Sequence, residues 1–193
     1  MNRILQCCAA VVLLGLAGAS AAAAQKPQTR DGFWIGFGFG YGSSNISCDG
    51  CGSADRESSG SGFLKLGGTL SPHVLLGGEV NVWTKDVNGT TATLGNTSFA
   101  AYFYPTPASG LFVKGGVGYA TTRLSDNSGN ATASGFGFVM GAGFDIRVGA
   151  MISITPVANF YFGSDGDLKS GGQTIVTGWK HNVYDFGLGI TFH

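Results

Sequence analysis

Charge is scarce in this sequence. Only 11% of its 193 residues are Asp, Glu, Lys or Arg, and 11 basic against 11 acidic side chains cancel to a formal net charge of zero. Nothing in that balance points to nucleic acid. Cysteine and proline are also few, at 4 and 5. Glycine is abundant, at 34, yet Gly and Pro together make only about a fifth of the chain, below the level of low-complexity sequence. A hydrophobic share of 44% argues against disorder. One further absence decides more than these. Past the N-terminal segment no stretch approaches about 18 continuous apolar residues, so the body of the chain holds no candidate spanning helix.

The N-terminal segment itself reads as an export signal over residues 1–24. Arg3 supplies the positive start, an apolar run extends from about Ile4 to Ala17, and Ala22-Ala23-Ala24 offers small residues before Gln25. The run is too short for a membrane anchor, which needs about 20 apolar residues. Cys7 and Cys8 lie too early, and in the wrong context, for lipid attachment. A short segment, 25–31, then leads into one domain, 32–193. An exported apolar chain without a spanning helix is either a soluble protein or a membrane barrel, because only helices and closed barrels satisfy their backbone hydrogen bonds within lipid.

The domain alternates with a period of two. From Gly32 to Gly42, Phe33, Ile35, Phe37, Phe39 and Tyr41 share one face, while Trp34, Gly36, Gly38 and Gly40 share the other. The pattern returns over Leu64–Leu70, Val74–Val82, Phe99–Phe103, Leu111–Tyr119, Phe136–Ile146, Ile152–Phe162 and Tyr184–Phe192. Eight strands are expected. The face opposite the bulky residues is rich in glycine and poor in charge. Glycine weakens a strand and gives a water-facing surface nothing in return. It suits a cramped interior, and an eight-stranded barrel is only wide enough for side chains to fill. The aromatic face is therefore assigned to lipid and the glycine face to the lumen.

Short links, Ser71-Pro72-His73, Pro105 to Gly110 and Arg147 to Gly149, alternate with polar stretches near 43–60, 85–93, 121–134 and 163–180. Short turns on the periplasmic side and long loops outside are the outer-membrane pattern, so both chain ends are expected at the periplasm. Tyr41, Trp83, Tyr104, Tyr119 and Trp179, at strand ends, are candidates for interfacial girdles.

The chain closes on Tyr184-Asp185-Phe186-Gly187-Leu188-Gly189-Ile190-Thr191-Phe192-His193. Asp185, Gly187, Ile190 and Phe192 match the C-terminal signal that the barrel assembly machinery recognises, with His193 as one extra residue. Together with the opening strand and the run Gly110-Leu111-Phe112-Val113-Lys114-Gly115-Gly116-Val117-Gly118-Tyr119-Ala120, the domain resembles the bacterial outer-membrane β-barrel domain family of small OmpA- or OmpX-like proteins. The resemblance implies an all-β, eight-stranded antiparallel up-and-down transmembrane barrel in the bacterial outer membrane. It also implies contact with outer-membrane lipid and lipopolysaccharide, and a monomer. It does not select an activity, because the fold hosts many.

Candidate sites follow from the faces. Lys65 and Glu79 point into the lumen and oppose each other if the Ser71-Pro72-His73 turn joins their strands directly. An unpaired lumen charge is costly, so an ion pair is expected, with Lys114 and Asp185 as further members of a lumen network. Cys48 and Cys51 are expected to form a local disulfide after export. Their spacing allows redox chemistry, but no helix N-terminus accompanies it, and zinc would need two more soft ligands. Asp165 and Asp167 lack the spacing of a calcium loop and are read as solvated loop acids. The glycine strings at 36–42 and 115–118 lie within strands, not before a helix, so no dinucleotide site is read from them. Sequons at Asn45, Asn88, Asn96 and Asn130 are expected by chance in a chain rich in Ser, Thr and Asn.

His73, His181 and His193 are the only histidines. A lipid-modifying hydrolase would need His181 with Ser164 or Thr177 as base and nucleophile. No catalytic residue, metal or cofactor is assigned. The function expected first is structural or surface interaction through the extracellular loops. The alternatives are a narrow channel or small-ligand carrier, and, more weakly, an outer-leaflet lipid enzyme.

Overall fold

The computed structural model describes residues 30–127 and 129–193, so the export signal expected over 1–24 lies outside the described residues. Among these residues there are ten strands: β1 (Phe33–Cys48), β2 (Gly52–Ser53), β3 (Glu57–Ser71), β4 (Val74–Val87), β5 (Thr90–Phe103), β6 (Leu111–Asp126), β7 (Gly129–Phe144), β8 (Ile146–Arg147), β9 (Ile152–Ser170) and β10 (Gln173–Phe192). Eight are long. They run in the order β10-β1-β3-β4-β5-β6-β7-β9, and antiparallel pairing of β9 with β10 closes the ring. The short β2 and β8 merely add to β1 and β9. The expected eight-stranded antiparallel up-and-down barrel is present. Closure matters physically, since it leaves no edge with unpaired backbone groups in lipid.

Register fixes the width. One hydrogen-bonded row passes from Gly36 to Lys65, Glu79, Ser98, Gly118, Gly137, Gly163 and His181, and returns to β1 at Ile46. The row thus comes back ten residues along β1 from where it began, at 46 rather than 36. With strands about 4.8 Å apart and about 3.3 Å per residue, that stagger gives a tilt near 40° and a backbone radius of about 8 Å. Each step along the row also climbs roughly 3 Å, so His181 stands roughly 19 Å further along the axis than Lys65.

The two faces divide as the alternation predicts. Phe37, Phe39, Phe99, Val117, Phe186 and Leu188 are exposed on the outer wall, with Phe39 at 80% and Phe186 at 75%. Trp34, Tyr102, Phe112, Val139, Tyr161 and Val183 are buried inside. Glycines leave room for large neighbours. A Cβ at Gly36 would stand 2.7 Å from Lys65 Cε, and one at Gly141 would stand 2.9 Å from Lys114 Cε.

Two expectations are corrected. Most of the polar stretches read as long loops are strand. Pairing continues past the apolar band, so Val87 and Thr90 are joined by Asn88-Gly89 alone, and Ser170 and Gln173 by Gly171-Gly172. Both turns take positive φ, 53° and 82° in the first and 57° and 83° in the second, the geometry of tight hairpins. Backbone pairing needs no apolar alternation once outside hydrocarbon, which is why the sequence pattern stopped early. The long connection that remains at that end is 49–56; it carries Cys51, which stands at disulfide distance from Cys48 at the end of β1, with Cα atoms 5.4 Å apart.

The girdle assignment fails for three of its five residues. Tyr41 and Tyr119 face outward, at 64% and 53% exposure. Trp83 and Tyr104 are buried in the lumen, and Trp179 turns inward to donate its Nε1–H to Thr122 Oγ1 at 3.2 Å. Trp83 sits one residue after outward Val82, and Tyr104 one after outward Phe103, so parity sends both inside.

Candidate functional site

The lumen is filled in layers, and its polar side chains are the candidate site. Those of the middle layer come from neighbouring strands because their parity is inward. Lys65 and Glu79 are direct partners across β3 and β4, Tyr102 and Lys114 across β5 and β6, and Asn159 and Asp185 across β9 and β10.

The expected Lys65–Glu79 ion pair is replaced by another. Glu79 binds the ammonium of Lys114, which reaches it from two strands away, and also accepts from Tyr102 Oη and, at 2.8 Å, from Asn81 Nδ2. Lys65 instead lies over aromatic rings, 5.0 Å from the centre of Phe112 and 5.4 Å from that of Tyr102. The negative faces of these rings supply attraction that a desolvated ammonium needs. Asp185 accepts from Asn159 Nδ2 at 2.8 Å. The four charges named from sequence thus occupy the lumen, but as one tight Glu79–Lys114 pair with two differently held neighbours.

Toward the chain ends lies a second cluster that sequence reasoning missed. Asp145 accepts from Tyr104 Oη at 2.8 Å and Thr155 Oγ1 at 2.7 Å, and its Oδ2 stands 3.9 Å from Arg30 Nη2 and 3.4 Å from His193 Nε2. Arg30 stacks on Tyr104 at 3.6 Å and donates to the carbonyls of Pro107 and Ser109, both at 2.9 Å. It therefore ties the chain at residue 30 to the connection between β5 and β6 at the barrel floor. Parity offered a signal, since Asp145 continues the inward series of Gly137, Gly141 and Gly143. His73, in the β3–β4 turn, places Nδ1 3.0 Å from the Tyr104 carbonyl.

At the far end, beyond an apolar layer of Trp83, Leu94, Val139, Tyr161 and Val183, lies a third cluster. His181 Nδ1 is 2.8 Å from Asp165 Oδ2 and 3.2 Å from Thr122 Oγ1, and Thr122 also donates to Asp165. Asp165 is 1% exposed, so its reading as a solvated acid is wrong; Asp167 is exposed as expected. Asp165 continues the inward parity of Tyr161 and Gly163, and Gly166 after it takes a positive φ of 74°. Ser164, one residue before, shares the outward parity of Phe162 and faces away from His181, and Thr177 is exposed. Thr122 and Asp165 both approach the same ring nitrogen of His181. A nucleophile and an orienting acid must instead address opposite nitrogens of the base, so this is not the geometry of an acyl-transfer triad.

No group of three or more His, Cys, Asp or Glu gathers into a metal-binding set among the described residues. Comparison with known proteins agrees with the architecture. The family described as outer membrane protein beta-barrel domain matches residues 9–192. No curated protein sequence matches the chain. Among solved structures, Neisserial surface protein A is 14% identical, with a TM-score of 0.53, covering 83% of this chain and 96% of that one. The N-terminal β-barrel domain of Pseudomonas aeruginosa OprF is 16% identical at a TM-score of 0.53, covering 85% and 98%. The attachment invasion locus protein Ail of Yersinia pestis is 14% identical at 0.50, covering 83% and 99%.

Proposed function

This chain belongs to the outer-membrane β-barrel domain family, located in the bacterial outer membrane, and from that premise we propose that it is a sealed, non-enzymatic barrel of structural or surface-interaction type. Its chain ends lie at the periplasm, and its polar strand extensions and the 49–56 connection face outward. One observation carries the reading: side chains fill the lumen in successive layers. The Arg30–Asp145–His193 cluster closes the floor, the Glu79–Lys114 pair with Tyr102 and Phe112 fills the middle, and Trp83, Leu94, Val139, Tyr161 and Val183 fill the space above. A barrel of this width has no room for a water column beside such residues.

Surface interaction then rests on what projects, namely a rim of paired strands rather than the long polar loops expected from the sequence. Membrane lipid and lipopolysaccharide are the surrounding partners. The last strand offers Ile190 and Phe192 on its outer face and Asp185 on its inner one as the assembly signal, and the barrel acts as a monomer. Planar-bilayer recordings test the reading: the purified barrel should show no discrete openings. Steady openings in the unaltered protein would favour a narrow channel through the charged lumen instead.

A further inference from the structure

The outer wall is not uniformly ridged. On it runs a mainly apolar trough of about 580 Å³ with outward walls of Met140, Ala142, Ala158, Phe160, Tyr184 and Phe186; Lys114, Gly141, Asn159 and Asp185, at the adjoining inward positions, complete its lining. Its floor is low because Ala142 and Ala158 are direct partners across β7 and β9, so two methyl groups stand where neighbouring rows carry large side chains. Its sides are high, with Met140 50% and Phe186 75% exposed. A second hollow of about 400 Å³ continues past the same alanines toward Leu111 and Phe144 at the terminal end.

The other end of the trough has a different chemistry. Phe160 packs on Tyr184 with ring centres 4.6 Å apart, and the Arg56 guanidinium lies 4.8 Å over that same tyrosine ring. Arg56 reaches down from the 49–56 connection onto the outer wall and is fixed there. Its Nε donates to Ser43 Oγ at 3.2 Å, Nη1 to Asn182 Oδ1 at 2.7 Å and Nη2 to the Ser43 carbonyl at 2.7 Å. All three acceptors are neutral, so the cation is positioned without being neutralised by them. Ser43 and Asn182 share the outward parity of Tyr41 and Tyr184, and they begin the polar region past the apolar band. Arg56 therefore sits where lipid headgroups begin, directly above a cleft suited to hydrocarbon.

We propose that the trough and Arg56 form a binding site for lipid A, with one acyl chain lying along Ala142 and Ala158 and a phosphate against the guanidinium. The trough faces lipid, so hydrocarbon is what covers it, and a fixed guanidinium at headgroup level complements a phosphate through charge-assisted hydrogen bonds. Lipid A is chosen over phospholipid because the orientation proposed above puts this end in the outer leaflet. The inference rests on that orientation, and Gln173→Cys, at an exposed position of the same end and labelled from outside intact cells, checks the orientation separately.

Native mass spectrometry of the detergent-released barrel with purified hexa-acylated, diphosphorylated lipid A tests the site. Arg56→Gln and Ala158→Leu should each weaken retention roughly tenfold. Ala101→Leu, at another small outward position, should leave it unchanged, and a heat-modifiable gel shift verifies that each variant is folded. Dephosphorylated lipid A should bind wild type and Arg56→Gln equally. Unchanged retention in the two site variants, equal loss in Ala101→Leu, or equally tight binding of phosphatidylglycerol would each overturn the proposal.

Discussion

Lys65 and Glu79 stand directly opposite each other across a hairpin, yet the Glu79 carboxylate is bonded to Lys114 from two strands away. Adjacency in register did not decide the pairing. In a narrow closed lumen a long side chain reaches as easily across the bore as along the wall, and the ring layer beneath Lys65 gives its ammonium an alternative.

Breaking this pair from one side should be costly. Lys114→Met leaves Glu79 buried and without its cation, a situation worth about 3–5 kcal/mol. The double variant Glu79→Gln with Lys114→Met should lose less than the two single losses added together, because neither remaining group is charged. Urea titration of the barrel in lipid vesicles measures both, and strict additivity would show that the two side chains do not act on each other.

The outer wall gives a depth-dependent prediction. Phe37, exposed among lipid-facing rings, should cost about 2–4 kcal/mol when replaced by Arg, whereas Thr84→Arg, past the apolar band, should cost about 0–1 kcal/mol. The same vesicle titration reads the difference. Equal costs at the two positions would contradict the placement of the band.

Much of this architecture was legible from alternation alone: strand number, facing and the lumen location of Lys65, Glu79, Lys114 and Asp185. What was not legible depended on quantities that alternation does not carry. Which strands Lys114 and Glu79 bridge depends on the stagger of the ring, which is set jointly by all eight pairings. Trp83 and Tyr104 were misplaced because residue type was weighed above parity, although their immediate neighbours Val82 and Phe103 had already settled it. Asp165 was hidden because polar strand beyond the membrane looks like loop in composition. The Asn88-Gly89 and Gly171-Gly172 pairs were the available signal that those strands continue into tight hairpins.

Those hairpins yield a third test. Gly89, at φ 82°, should tolerate Val poorly, with a local cost of about 1–2 kcal/mol. Hydrogen exchange should accelerate at the tips of β4 and β5 while the lumen-lining segments stay protected. Uniform acceleration throughout the barrel would show that the extension is not an independent unit.

Reduction of Cys48 and Cys51 supplies a fourth. The bond closes only the 48–51 loop, so reduction should leave the unfolding midpoint of the barrel nearly unchanged while speeding protease cleavage within 49–56. A large drop in midpoint would mean that this tip braces the ring itself.

The return of the hydrogen-bonded row ten residues along β1 has an evolutionary consequence. Because side chains alternate, a closed ring can change its offset only in steps of two, and each such step alters the backbone radius by about 0.7 Å. The interior is therefore sized in discrete increments. Substitutions that enlarge or shrink the contents, such as Trp34 or Tyr161, have no continuous breathing of the wall to absorb them and must be matched by compensating changes across the bore. A single-residue insertion within any long strand must be expelled as a bulge, so length variation is confined to the tips.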